Sequence, residues 1–445
     1  MRNIKFKNKI YLFLPLICVA FWIFLSLIKD NIYIYDAADF NAFFSASRKI
    51  YLNPGEVYSK DIGYFYFPSF AMVFGLFTIF LSYNVSSWIF FIILSFFSIY
   101  LIIETDKLLK KAGIDKVFTR VLVLLVIANS YSIMLDLDAL QPKVISAFCL
   151  ILFLRREVDF KNNPQNYNEN KFMFSQMMIL IFGLGLIPQY FLFFSIIYLF
   201  HKVSWKQILS KKQIKKYGLF ILALLVQNFM IIIIILINPK VITVFFNRSS
   251  SLEALNPILE TMTPSKIVEN AYNIHDSVFA LILVLINELI DLTFLNGLIL
   301  LIFSMGILLV VSFLLASHKD MDIGIKFGYF SLIVIFFSIF FRNIEKIIFI
   351  TLTTLLFIIS LTKTQNIVEF LKKNFYWLLG LFSLQIINLI PREYYFYKVF
   401  PFLLDIPIIF LLFGLISIHL ILGFSILIFR KQISPRKAIK SPVKS

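Results

Sequence analysis

Long apolar segments separated by short polar loops run the length of this 445-residue chain. Several segments approach the roughly 20 residues that cross a bilayer as an α-helix, and none alternates with the period of two that barrel strands show. The segments that we predict to cross are 11–28, 85–103, 117–134, 143–154, 173–187, 189–203, 217–237, 294–316, 323–341, 346–361, 375–391 and 405–429. The pattern predicts an all-α polytopic membrane protein with about twelve transmembrane helices.

Two further apolar stretches, 65–82 and 277–292, are predicted to lie on the outer face without crossing. Lys and Arg favour cytoplasmic loops, and lysines within the first nine residues place the amino terminus in the cytoplasm. If 65–82 is interfacial or re-entrant, the next three basic loops are cytoplasmic as well. The same argument for 277–292 places the basic tail, 430–445, inside. We therefore expect both termini to be cytoplasmic.

The composition supports a membrane protein and excludes several other classes. The chain is 60% hydrophobic, contains 54 Phe and has a mean hydropathy of +0.87, which is more apolar surface than one soluble core buries. The net charge of +17 lies in short loops, so nucleic acid is not an expected partner. We expect one transmembrane domain over 1–445 with large outer loops at 29–84 and 238–293, and no cofactor.

Two acidic residues follow the first apolar segment, in the sequence DAADF. Asp36 and Asp39 are three residues apart, so a short interfacial helix would present both carboxylates on one face. Ionisable groups at a membrane boundary often mark a functional site. Partial screening from water raises the pKa of a carboxyl group toward the range of a general base. The alternative is that both residues cap or solubilise a surface helix.

A second polar group lies in the sequence LDLDALQPK, within a predicted outer turn at 135–142. Asp136 and Asp138 form a DxD pair that would be a minimal cage for a divalent cation. Gln141 and Lys143 add a donor and a positive charge that suit a phosphate. The alternative is an ordinary polar loop that caps the next helix.

Three more candidates fall on the predicted outer face. Arg342 and Lys346 interrupt a long apolar stretch, and because cations are disfavoured outside, we interpret them as anion ligands. A tight charged turn between helices is the alternative. His275 is a candidate that could equally be an exposed loop histidine. Tyr66 belongs to an aromatic set that could stack on a sugar or line a lipid groove, although we interpret most of the set as an interfacial belt. Its members are Tyr33, Tyr35, Phe40, Phe43, Phe44, Tyr51, Tyr64, Phe65 and Tyr66.

The chain resembles the GT-C superfamily of polyprenyl-phosphate-sugar-dependent glycosyltransferases, and within it family 87, which includes mannosyl- and arabinofuranosyltransferases. The matching features are an acidic residue before an aromatic, a GxxY, an aromatic entry to a proline, a Gln in an outer turn, a Pro-Gln turn, a Trp-Lys loop and a polar step before a half-helix. They lie at Asp39–Phe40, Gly55–Tyr58, Tyr64–Pro68, Gln141, Pro188–Gln189, Trp205–Lys206 and Asn273–Ser277.

The resemblance implies an inverting glycosyltransferase at the outer face of the cytoplasmic membrane. It would move a hexose, of mannose type, from a polyprenyl-phosphate donor to a lipid or glycan acceptor. Asp39 would be the base, with Asp36 orienting the acceptor, and Arg342, Lys346 and Lys143 would face the donor phosphate. Gln189 would line the pocket with the other polar candidates above. A lipid-linked oligosaccharide flippase or other transporter, and a polysaccharide polymerase, are the alternative functions.

Overall fold

A computed structural model gives the architecture of much of the chain. It describes residues 10–30, 38–59, 62, 64, 66–115, 117–128, 130–241, 243, 294–319, 321–337, 347–349, 351–352 and 354–355. Within these ranges the chain is helical, with no strand. The predicted crossings at 375–391 and 405–429, the stretch 277–292 and the tail 430–445 lie outside the described residues.

The α-helices of the described residues are labelled in chain order. They are α1 Phe13–Asp30, α2 Ala38–Leu52, α3 Pro68–Thr78, α4 Tyr83–Lys111, α5 Val117–Ala128, α6 Tyr131–Asp138, α7 Lys143–Asn162, α8 Glu169–Gly185, α9 Pro188–Leu199, α10 Lys211–Gln227, α11 Met230–Ile237, α12 Phe294–Ser317 and α13 Ile323–Phe337. Short 3₁₀ turns occur at Ile10–Leu12, Pro54–Glu56, Pro164–Asn166 and Trp205–Gln207.

One of these helices is by itself long and apolar enough to cross a bilayer. This is α4, with 29 residues. Two bent pairs pass the same test together, α5 with α6 at 46° and α10 with α11 at 66°, so the described residues hold one to three candidate spans. The sequence predicted a crossing at 117–134 and another at 217–237. Each predicted crossing corresponds to a bent pair in the structure and not to one straight helix.

Side chains bind the backbone at both breaks: one from another helix at the first break, and that of the break residue itself at the second. The indole of Trp22 on α1 donates to the carbonyl of Ala128, 3.0 Å away, where α5 ends. At the second break, the Asn228 amide nitrogen donates to Leu224 O at 3.1 Å, and its oxygen accepts from the backbone N–H of Ser69 at 3.2 Å. A helix can break at membrane depth when neighbouring groups re-satisfy the freed backbone in this way.

Helices α2 and α3 form a short pair that precedes α4. Helix α3 has 11 residues, about 16 Å, which is half the thickness of the hydrocarbon core. The hydroxyls of Ser47 and Thr78 are 2.6 Å apart, and Tyr51 donates to Met72 O at 2.7 Å. Because α3 falls within the predicted non-crossing stretch 65–82, its length agrees with that expectation.

The remaining helices pack around α4 and α7, which contact each other over most of their length. Helix α8 runs antiparallel to α7 at close range, since a Cβ on Gly183 would stand 2.6 Å from Cys149 Cβ. Helix α10 covers α8, α9 packs on α12 and α13, and α1 packs on α5 and α6. Phe194 on α9 and Phe327 on α13 meet edge to face at 4.9 Å between ring centroids.

Charged residues collect at the end of the bundle formed by the carboxyl ends of α4 and α7 and the first turns of α8 and α10. We call this end the basic end. Glu104 on α4 is paired with Arg155 on α7 at 2.6 Å, and Lys111 with Asp159 at 2.6 Å. These pairs extend α7 to 20 residues, beyond the predicted end at residue 154, because the charged turns are held against α4.

Candidate functional site

The end of the bundle opposite the basic end contains most of the described candidate residues. These are Tyr66, Asp136, Asp138, Gln141, Lys143 and Gln189, which lie before α3, at the end of α6, at the start of α7 and at the start of α9. Asp36, His275, Arg342 and Lys346 lie outside the described residues, so their predicted roles stay predictions.

The turn from α6 to α7 is closed by a left-handed residue. Leu140 has φ of 49° and is completely buried. The N–H of Leu140 donates to Leu137 O at 3.3 Å, and the N–H of Gln141 donates to Asp136 O at 2.8 Å. This pair of bonds is the Schellman motif, in which glycine normally occupies the left-handed position. The turn brings Gln141 and Lys143 to the start of α7.

Lys143 is the first residue of α7 and is only 3% exposed. Its ammonium group donates to Leu186 O at 2.8 Å and to the Tyr66 hydroxyl at 3.2 Å, and it lies 4.6 Å from the centroid of the Tyr66 ring. The Tyr66 hydroxyl in turn donates to Gln141 Oε1 at 3.0 Å. We call Tyr66, Gln141, Lys143 and the Leu186 carbonyl the Lys143 cluster.

The cluster is a buried cationic site built from three separate parts of the chain. Burying an ammonium is costly unless its hydrogen bonds are made, and the phenol and carbonyl oxygens supply two of them. Leu186 is the C-cap of α8, where the helix dipole is negative, so the cation is favourably placed there. By contrast, the start of its own helix, α7, disfavours a positive charge. The ammonium is therefore held by oxygen atoms from two other segments of the chain.

Two further tyrosines hold Tyr66 in place. The Tyr58 hydroxyl donates to Tyr66 O at 2.8 Å, and the Tyr64 hydroxyl donates to Phe67 O at 2.8 Å while accepting from Ala71 N at 3.2 Å. Burial raises the pKa of both the Tyr58 and Tyr64 hydroxyls, so both stay protonated and remain donors. The segment that carries Tyr66 is therefore rigidly hydrogen-bonded.

The aromatic residues near the cluster form a packed core. Phe40, Phe43, Tyr64 and Tyr66 are all at most 3% exposed, and the rings of Phe43 and Tyr66 are 5.0 Å apart. The expected interfacial belt is wrong for these four residues, since belt aromatics face lipid and these are buried against other aromatic rings. Their burial fixes the start of α2 against the Lys143 cluster.

Asp39 is the second residue of α2, four residues before Phe43. The backbone of Asp39 therefore lies about one helical turn, or about 6 Å along the axis, from that of Phe43. The ring of Phe43 contacts the ring of Tyr66. A helix is present at this point, α2, and Asp39 belongs to it; its predicted interfacial position stays a prediction.

The two acids of the DxD pair lie in a helix, which corrects their predicted position in the loop 135–142. Asp136 is fully buried in α6, and Asp138 is the last residue of that helix. Residues two apart on a helix point about 200° apart around its axis, so the two carboxylates leave α6 in nearly opposite directions. Among the described residues, no group of three or more His, Cys, Asp or Glu is placed to hold a metal ion.

Gln189 is the second residue of α9 and is partly buried. It follows Pro188, which begins the helix, and lies three residues after Leu186, whose carbonyl binds Lys143. The structure therefore brings Gln189 to the same turn that completes the Lys143 cluster.

Some residues of the site were not found from the sequence. Tyr58 and Tyr64 belong to the matched motifs, but which tyrosine donates to which carbonyl depends on the fold. Asn228, which binds α3 through Ser69, did have a signal, because it and Gln227 are the polar residues between α10 and the apolar α11.

Comparison with known proteins returned no relative: no protein-family model, no curated protein and no solved structure matches this chain.

Proposed function

We propose that this protein is an inverting glycosyltransferase that moves a hexose, of mannose type, from a polyprenyl-phosphate donor to a lipid or glycan acceptor. It would act at the outer face of the cytoplasmic membrane, as a multi-pass protein with both termini inside. The observation that carries the proposal is the buried ammonium of Lys143 at the end of the bundle opposite the basic end.

Lys143 would stabilise the phosphate that leaves in such a reaction. As the bond between the anomeric carbon and the phosphate oxygen breaks, negative charge grows on the phosphate. A fixed cation with little access to water stabilises that charge more strongly than water does. Arg342 and Lys346 would add positive charge on the donor side, as the resemblance implies.

Asp39 would be the general base. Its carboxylate would take the proton of the acceptor hydroxyl while that oxygen forms the new bond to the anomeric carbon, on the face opposite the departing phosphate. A single displacement of this kind inverts the configuration. Asp36 would orient the acceptor. The position of Asp39 one turn before Phe43 supports this role, because Phe43 contacts Tyr66 of the Lys143 cluster.

The chain offers a matched control for Lys143. Lys216, at the basic end, donates to Tyr198 O at 2.6 Å and lies 4.3 Å from the centroid of the Tyr198 ring. Both lysines therefore bind a carbonyl at the carboxyl end of another helix and lie against a tyrosine ring. Replacing either by methionine removes the same kinds of contact, but only Lys143 lies in the proposed site.

The test is transfer of radiolabelled sugar from polyprenyl-phosphate hexoses to a cell lipid extract, in membranes that contain the protein. We expect Lys143→Met to lower transfer about 100-fold or more, the usual cost of losing a group that stabilises transition-state charge. Lys216→Met should transfer within about threefold of the parent, since the contacts of Lys216 with Tyr198 affect stability and not the reaction. Asp39→Asn should abolish transfer.

Three results would contradict these roles. Equal losses in Lys143→Met and Lys216→Met would make Lys143 a structural residue. Unchanged transfer by Asp39→Asn would remove Asp39 from the mechanism. Absence of transfer by the parent from every donor would reject the transferase.

The bent helix pairs favour one alternative, a lipid-linked oligosaccharide flippase or other transporter. Transporters often form their binding sites at broken helices, and two candidate spans here are broken. A flippase would move a labelled lipid-linked sugar across the bilayer of reconstituted vesicles without forming a new glycosidic bond. Measuring both products in one preparation distinguishes the two functions.

A further inference from the structure

Helix α10 has one continuous exposed face. Its members recur every three or four residues, the spacing of one side of a helix, and are Lys211, Ile214, Lys215, Gly218, Ile221, Leu222, Leu225 and Val226. The second half of this face is apolar: Ile221 is 54% exposed and Leu222 49%. Because α10 and α11 together have the length and hydropathy of a membrane span, this apolar half is suited to contact lipid.

Lys211 and Lys215 occupy the first half of the same face. They are one helical turn apart, so their side chains are neighbours. Lys215 precedes Ile221 by six residues, about 9 Å along the axis. The lysines therefore lie where the apolar face ends, at the depth of lipid headgroups, and they point to the same side as the lipid-contacting residues.

Among the described residues, no acid forms an ion pair with either of these two lysines. The sequence contains no Asp or Glu between Glu169 and Glu253. Glu169 pairs with Lys212 at 3.2 Å, whereas Lys211 and Lys215 form no ion pair within the described part of the chain. Like charges one turn apart repel, and a helix N-terminus disfavours cations. An external anion would relieve both effects.

The loop that leads into α10 gives an independent observation. Leu209 is 81% exposed and precedes Ser210, the N-cap of the helix. Ile214, one turn into the helix, is 53% exposed. Exposed apolar side chains interleaved with lysines are typical of protein segments at a membrane interface, with the apolar groups inserted and the cations at the headgroups.

We propose that Lys211 and Lys215 form a binding site for the phosphate headgroup of an anionic phospholipid. The two ammonium groups would hold the phosphate between them, while Ile221 and Leu222 on the same face contact the acyl chains. The occupant is a lipid because the lysines continue a lipid-contacting face. This site is at the opposite end of the bundle from the Lys143 cluster, so it does not depend on the proposed enzymatic function.

The test measures lipid binding to the purified full-length protein in a mild detergent by native mass spectrometry. Phosphatidylglycerol and phosphatidylcholine are titrated separately. The double variant Lys211→Gln/Lys215→Gln should bind phosphatidylglycerol at least tenfold more weakly than the parent, a change equivalent to about 1.4 kcal/mol. Phosphatidylcholine binding should not change. The variant Lys211→Arg/Lys215→Arg, which keeps both charges, should bind as the parent does.

The matched control is Lys161→Gln/Lys171→Gln. It removes two exposed lysines from the same end of the bundle and leaves the exposed face of α10 intact. Its affinity for phosphatidylglycerol should stay within twofold of the parent. Equal weakening by both double variants would overturn the proposal, as would a parent that binds both lipids equally.

Two measurements on the parent protein keep the proposal testable if the glutamine variant fails to fold. Rising salt should release phosphatidylglycerol and leave phosphatidylcholine bound, because contacts between exposed charges are screened. Salt-insensitive binding would reject the site. Inorganic phosphate should compete weakly, and displacement by phosphate alone at concentrations similar to those of the lipid would show that the ligand is a free anion.

Discussion

Leu140 adopts a backbone conformation that leucine rarely takes, and the position of the Lys143 cluster depends on it. A non-glycine residue in the left-handed region costs about 1–2 kcal/mol. The buried Leu140 side chain offsets that cost by packing, since it is completely excluded from solvent. Backbone strain of this kind is often found beside functional sites.

Substitutions at Leu140 should therefore reverse the usual order of alanine and glycine. Leu140→Ala loses the buried side chain and keeps the strain, so we expect it to cost about 2–5 kcal/mol. Leu140→Gly loses the same packing but relieves the strain, so it should be about 1 kcal/mol more stable than the alanine variant. Thermal unfolding in detergent would measure both. An alanine variant more stable than the glycine variant would contradict a strained Leu140.

The sequence placed the DxD acids incorrectly because the apolar run gives way to acidic residues after Met134. The predicted helix ended there, and Asp136 was assigned to a loop. Leucine at position 140 also gives no sign of the true helix end, since helix ends are recognised by glycine or asparagine at the left-handed position. Lys143, Gln141 and Tyr66 were each identified as candidates. Their contacts were not, because Tyr66 is 77 residues from Lys143 and only the fold brings them together.

Among the helices, the pair α2 and α3 depends on one glycine. A Cβ on Gly75 would collide with the backbone carbonyl of Ser47 and stand 2.6 Å from a ring carbon of Tyr51. A Cβ on Gly306 of α12 would have no atom within 4 Å. The two positions allow the effect of close approach to be separated from the general preference of helices for alanine.

We expect Gly75→Ala to destabilise the protein by about 1–3 kcal/mol, the usual cost of overpacking. Gly306→Ala should be neutral or stabilising by up to about 1 kcal/mol, since alanine favours a helix. Thermal unfolding of the two variants and the parent gives the comparison. Similar changes in unfolding temperature in both variants would show that α2 and α3 can move apart without a loss of stability.

Hydropathy predicted where many helices lie, and it failed where they bend. The starts of α12 and α13, at Phe294 and Ile323, agree with the predicted segments at 294–316 and 323–341. The break after α10 was missed because the apolar run continues on both sides of Asn228. The bend also depends on contacts with other parts of the chain, here the N–H of Ser69 that donates to the Asn228 side chain, and such contacts are a property of the fold.

At the scale of the whole molecule, the described helices separate two polar environments. The basic end carries paired acids and lysines, and the opposite end carries the Lys143 cluster. Helix α4 connects them, with Asn84 in its first turn and Lys111 as its last residue. Since α4 is long enough to cross a bilayer, the two ends should face opposite sides of the membrane.

Cysteine labelling tests this separation. In intact cells, Asn84→Cys should react with an impermeant thiol reagent, and Lys161→Cys should react only after permeabilisation, because basic loops face the cytoplasm. The parent is a suitable background, since Cys149 is buried and Cys18 partly buried. Labelling of position 161 from outside, or of both positions from one side, would contradict the predicted topology.

The indole of Trp22, bound to the carbonyl of Ala128, places a fluorophore at the break between α5 and α6. Its emission responds to local polarity, so entry of water at this bend should shift the spectrum to longer wavelength. With the other tryptophans replaced, the protein would carry its own optical sensor of whether the bend opens while a substrate is handled.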